Sequence, residues 1–226
     1  MSAEGGPRVG VGVAEAGAHA SRVAHHFQDF EQQRHAARFG MWLFLGTEVL
    51  LFGGLFVAYA IYRVAYGDAF HEASCLLDLK LGTTNTVVLI TSSFAVAAAV
   101  HYAHHDQKWP TVVSLLLTIG MGLAFLGIKS VEYAHKFQEG ALPGKYYHFE
   151  KVQEPGASMF FTVYFFLTGL HAIHVIIGLS VLSWLAWRAI RGDFKGGYDL
   201  PVELGGLYWH LVDIVWIFLF PLLYLA

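Results

Sequence analysis

His171 and His174 lie in the middle of a stretch, residues 156–190, that carries no charge before Arg188. Their i, i+3 spacing puts both imidazoles on one helix face, where a metal ion could be shared if other helices supplied carboxylates. A di-metal bundle wants several Glu-x-x-His sets projecting inward, and the apolar stretches offer only Glu48 at mid-depth. Structural histidines, hydrogen-bonded to hydroxyls or to Glu48, are therefore the better reading. His210 and Asp213 repeat the spacing. There the carboxylate is expected to accept from the imidazole one turn away, so the pair reads as a local lock. Glu48 has two readings, proton movement or a hydrogen bond holding two helices together, and the second outweighs the first. A haem between His101 and His210 would need facing rings and a cleft, and neither is visible in the sequence.

The elements that must position these groups are membrane spans. A run of about 20 apolar residues at 1.5 Å each crosses the hydrocarbon layer, and polar groups at that depth face the interior of a bundle. In 226 residues the hydrophobic content is 56% and the aromatic content 15%, with six tryptophans, and the mean hydropathy is +0.50. This leaves little room for a separate soluble domain. A net charge of −3 gives no basic footprint, which excludes nucleic acid as a partner class. The single cysteine, Cys75, excludes an intrachain disulfide and any centre that needs two thiolates.

The reading is all-α: a polytopic membrane protein with a bundle of five transmembrane helices. Residues 1–38 read as a flexible tail with an interfacial helix in its second half, and residues 39–226 as the transmembrane domain. The spans are expected at 39–62, 83–102, 111–131, 156–188 and 204–225. Pro110 suits a helix start, Pro221 a kink or a frayed end, and Gly192, Gly196 and Gly197 a turn. Eight Lys or Arg residues fall on the N-terminal side of the membrane against five on the other, which favours N-terminus inside and C-terminus outside. Glu48 then lies roughly 15 Å, and His174 roughly 21 Å, from the inner end of its span, close enough in depth to meet.

Together these residues resemble the cytochrome c oxidase subunit III family of the haem-copper respiratory oxidases. The resemblance is carried by residues 169–178 (GLHAIHVIIG), 208–224 (YWHLVDIVWIFLFPLLY), 130–133 (SVEY) and the pattern around Glu48 (TEVLLFGGLFVAY). It implies a multi-pass, non-catalytic subunit of the bacterial cytoplasmic membrane. The subunit itself would bind no haem, copper or other metal, these lying in the partner subunits. It would pack against the catalytic subunit I, with subunit II and a larger respiratory supercomplex as further partners, hold phospholipid in a cleft, and support proton uptake. The family's mid-membrane carboxylate falls on Glu48, its helix histidines on His171 and His174, its other acidic position on Glu132, and its His-Asp pair on His210 and Asp213. The first two spans of the seven-helix form are missing, as in five-helix relatives that resemble quinol oxidases and some bacterial cytochrome c oxidases. An independent haem or metal redox protein is the alternative reading. A proton-coupled transporter is weaker, because no paired halves repeat along the chain.

Overall fold

The computed structural model describes residues 27–139, 156–194 and 198–225. The expected tail over residues 1–26, the loop over 140–155 and the turn glycines Gly196 and Gly197 lie outside the described residues. Among those described, the chain is all helical: α1 (Phe30–Ala65), α2 (Gly67–Cys75), α3 (Leu79–His104), α4 (Lys108–Gln138), α5 (Ala157–Arg191) and α6 (Leu200–Tyr224). All but α2 are long and apolar enough to cross a membrane. The chain divides into two compact units, Met1–Phe44 and Leu45–Ala226.

In the first unit, α1 starts nine residues before the expected span. Asp29 sets the start: the Gln32 N–H donates to its Oδ1 at 2.6 Å, and the Gln28 N–H donates to Gln32 Oε1 at 2.8 Å. An acidic cap followed three residues later by Gln is a variant of the capping box, which satisfies otherwise unpaired backbone donors.

In the second unit, α3 packs on α4, α4 on α5, α5 on α6, and α6 back on α3, a closed ring of four helices. Local chemistry fixes the helix ends. The Asp78 side chain caps α3 by accepting from the backbone of Lys80 and Leu81. Gly192, at φ 84°, ends α5 in a Schellman turn, with its N–H on the Ala189 carbonyl and that of Asp193 on the Arg188 carbonyl. Buried Trp209 fills the centre of the ring. A Cβ on Gly122 of α4 would lie 2.7 Å from its ring and one on Gly178 of α5 2.9 Å, while its indole N–H donates to Ser92 Oγ of α3 at 3.0 Å. Hydroxyls left inside the spans are satisfied locally, as when Thr86 and Thr118 donate to the carbonyls four residues back.

Within this unit, α1 presents a narrow stripe of buried residues, Leu45, Phe52 and Tyr59, seven residues apart. It joins the ring by long side chains: the Tyr59 hydroxyl donates to the Leu222 carbonyl at 2.5 Å, and the Phe52 ring meets the edge of His174 at 5.1 Å. The connection after the first span is more ordered than a loop. Its helix α2 buries Phe70 edge-on between Tyr59 and Phe160 of α5. Helix α4 continues to Gln138, past the expected end at 131, because the charged residues that read as an exit are buried: Lys129, Glu132 and Lys136. Helix α6 runs through Pro221 to Tyr224.

Candidate functional site

Two buried polar centres occupy the bundle. The first joins α1 to α5, where Glu48 Oε2 and His174 Nε2 are 2.8 Å apart. The other ring nitrogen, Nδ1, is 2.8 Å from the Leu170 carbonyl one turn back. A carbonyl can only accept, so Nδ1 carries a hydrogen and the imidazole's second nitrogen alone faces the carboxyl group. One proton is then shared in the contact. Either a neutral carboxyl donates to Nε2, or an imidazolium donates to a carboxylate; the pair is net neutral both ways, the condition under which it can sit in a span. The Tyr208 hydroxyl donates to the His174 carbonyl at 3.2 Å and ties the same turn of α5 to α6.

The second centre joins α4, α5 and α6. Lys129 Nζ donates to Glu132 Oε2 at 3.1 Å, to Tyr164 Oη at 3.1 Å and to Tyr224 Oη at 2.9 Å. Both phenols donate onward to Glu132 Oε1, Tyr164 at 2.7 Å and Tyr224 at 2.5 Å. All three ammonium protons are thereby used and both carboxylate oxygens are engaged, so every charge is paired without water. The rings of Tyr133, Tyr164, Trp216 and Tyr224 surround the ammonium at 5.1–5.6 Å. The resemblance points to Glu132, whereas it assigns no role to Lys129, Tyr164 or Tyr224. The signal was present in the i, i+3 spacing of Lys129 and Glu132, which makes an ion pair on one helix face.

His171 lies between the two centres and joins neither. It is buried, with no hydrogen-bond partner on either nitrogen among the described residues, packed edge-on against Phe125 at 5.5 Å and tilted against Trp216 at 5.3 Å. The expected hydrogen bond to a hydroxyl or to Glu48 is therefore corrected for His171: aromatic neighbours enclose the ring, and Glu48 is taken by His174. The shared face of the two histidines does not bring them to one ligand.

The expected lock between His210 and Asp213 is also corrected. His210 Nδ1 bonds Ser93 Oγ of α3 at 2.7 Å, and no hydrogen bond joins His210 to Asp213, whose buried carboxyl lies beside Ser93. The neighbouring helix offers the imidazole a partner at closer reach than its own next turn does. His101 lies against His105, their rings tilted and 4.4 Å apart, eight residues, or about 12 Å, along α3 from Ser93. His101 and His210 thus do not face each other across a haem-sized gap. At the end of the ring, His104 at the C-terminus of α3 lies against buried Asp199 just before α6, where an acidic side chain suits the N-terminal end of the helix. Glu203 brings a third potential metal ligand into the same group.

The sequence profile described as "Cytochrome c oxidase subunit III" matches residues 24–226, a span that holds both polar centres and all five long apolar helices. The chain belongs to the cytochrome c oxidase subunit III family. Among similar proteins, "Cytochrome c oxidase subunit 3" of Synechocystis is 35% identical over 193 residues, 83% of this chain and 74% of the relative. "Quinol oxidase subunit 3" of Bacillus spizizenii is 30% identical, covering 82% of this chain and 85% of the relative. The Aeropyrum pernix protein named "Heme-copper oxidase subunit I+III" is 30% identical over 84% of this chain, which spans 22% of that longer polypeptide.

Proposed function

We propose that this chain is the non-catalytic subunit III of a haem-copper terminal oxidase in the aerobic respiratory chain of a bacterial cytoplasmic membrane. Haem and copper belong to its partners, subunits I and II. Subunit III packs against subunit I, holds phospholipid at its apolar faces, and supports proton uptake, with its N-terminus inside and its C-terminus outside. The observation that carries the reading is the family match across residues 24–226. The Aeropyrum relative's name, which joins subunits I and III in one polypeptide, supports the choice of neighbour. Relatives named for cytochrome c and for quinol both match, so the proposal covers either electron donor.

The proton role is assigned to Glu48, because its contact with His174 holds one transferable proton at mid-depth. The test uses a C-terminally tagged chain purified with its complex in mild detergent. Haem-bearing subunits should co-purify, and Glu48→Ala and Glu48→Gln should both leave the haem content unchanged. A glutamine amide can still donate to His174 Nε2 but cannot ionise. If Glu48 supports proton uptake, sustained turnover falls in both variants. Full turnover with Gln and loss only with Ala would assign the contact a structural role. Loss of haem from either variant would overturn the accessory reading.

A further inference from the structure

Where α3 ends and α6 begins, three side chains turn toward one point. His104 is the last residue of α3, Asp199 immediately precedes α6, and Glu203 stands in the first turn of α6. One ligand atom from each, an imidazole nitrogen and two carboxylate oxygens, lie within 4.8 Å of one another. Asp199 and Glu203 are four residues apart, the spacing that puts two side chains on one helix face. All three belong to the second unit, apart from its two interior polar centres.

Asp199 carries the argument. It occupies the N-cap position of α6, where an aspartate side chain ordinarily accepts from a backbone N–H two or three residues on, yet it makes no such bond. The residue is 4% exposed. Its Oδ2 meets His104 Nδ1 but accepts no hydrogen bond from the described residues. A buried carboxylate is costly unless its charge is paired, and a second carboxylate beside it adds repulsion. Lone pairs gathered in this way around one point are what a cation requires.

The donor set selects the class of ion. An imidazole favours zinc and its transition-metal neighbours over magnesium and calcium, which take oxygen ligands. Ligand atoms about 2.0–2.2 Å from a tetrahedral zinc stand roughly 3.4 Å from each other. His104 and Glu203, the two less buried members, reach that spacing by side-chain rotation. The His104 side chain is 42% exposed, so the ion enters from solvent and keeps water as its fourth ligand. Two carboxylates neutralise a divalent charge, and the C-terminal end of α3 adds a favourable dipole. We infer that His104, Asp199 and Glu203 form a site for a divalent transition-metal ion of the zinc type, which staples the end of α3 to the start of α6. The family resemblance gives this subunit no metal of its own, and the site stands on these three residues without the oxidase reading.

The test uses the tagged complex in mild detergent, stripped with a chelator and titrated with radioactive zinc. Each variant is read against the wild type, so that zinc held elsewhere in the complex cancels. Binding at this site should weaken about tenfold or more in His104→Gln and in Glu203→Gln, since altering even a group behind a metal ligand costs that much. His101→Ala, which removes an exposed histidine one turn away, should leave it unchanged. Zinc should also raise the unfolding temperature of the wild type but not of His104→Gln, and the unfolding temperature without zinc shows that the variants fold. Wild-type zinc binding in both glutamine variants, or an equal loss in His101→Ala, overturns the site. Displacement of the zinc by a large excess of magnesium overturns its class. A chain that purifies without haem-bearing partners, yet loses zinc with His104→Gln, upholds the site and counts only against the oxidase reading.

Discussion

Lys129 and Glu132 owe their tolerance inside the bundle to closure. Three ammonium protons meet one carboxylate and two phenols, and each phenol returns its own proton to that carboxylate. Removing one member of such a set leaves a buried charge alone, whereas removing both charges leaves only polar groups that can pair with each other. Lys129→Met is therefore expected to destabilise the protein by about 3–5 kcal/mol. The double variant Lys129→Met/Glu132→Gln should recover most of that loss. Thermal unfolding of the purified complex in mild detergent measures both, and a double variant no better than the single one would show that the two charges are not coupled. His171 makes the opposite point. Its place among Phe125 and Trp216 uses the ring as an aromatic surface, and neither nitrogen has a hydrogen-bond partner among the described residues.

Helices α3 to α6 close into a ring because the bulk of Trp209 is matched by missing side chains opposite it. Gly122 and Gly178 let α4 and α5 approach, and Ser92 receives the indole proton that lipid could not. Gly122→Val would drive a branched Cβ against both Trp209 and Leu179, 2.7 Å away in each case. Overpacking of this kind costs about 1–3 kcal/mol, and Trp209→Leu in the same chain should restore part of it. Gly120 on the same helix has open space where its Cβ would stand. Gly120→Ala should accordingly be neutral or stabilising by about 0.5–1 kcal/mol. Equal losses at the two glycines, read as the shift in unfolding temperature, would rule out packing against Trp209 as the cause.

For the molecule as a whole, orientation is the property most open to direct reading, because Cys75 is the chain's single cysteine and is exposed at the end of α2. With the N-terminus inside, the connection between the first and second spans lies on the outer side. A membrane-impermeant maleimide added to spheroplasts should then label Cys75 without lysis. Labelling that appears only after the cells are opened would invert the assignment. The large apolar side chains left exposed on the outer faces, among them Leu50 at 76% and Phe94 at 74%, are surface for lipid or for a neighbouring subunit rather than for water.

Amino-acid order settles which segments cross the membrane, since about 20 apolar residues in a row can do little else once their backbone groups must pair within the segment. It also settles the family, because the stretches around Glu48, His171, His174, His210 and Asp213 are contiguous. The choice of partner for each polar group was not legible in the same way. His174 rather than His171 meets Glu48, 126 residues away, and His210 turns to Ser93 at a separation of 117 residues instead of to Asp213, three positions on. Lys129, within the expected span 111–131, is the centre of a four-ring cage from three helices. Periodicity tells which face of a helix a residue occupies, but a hydrogen bond depends on the rotation and depth of the facing helix. Those are set by packing around residues such as Trp209 and Gly122, and they exist only once the ring has closed.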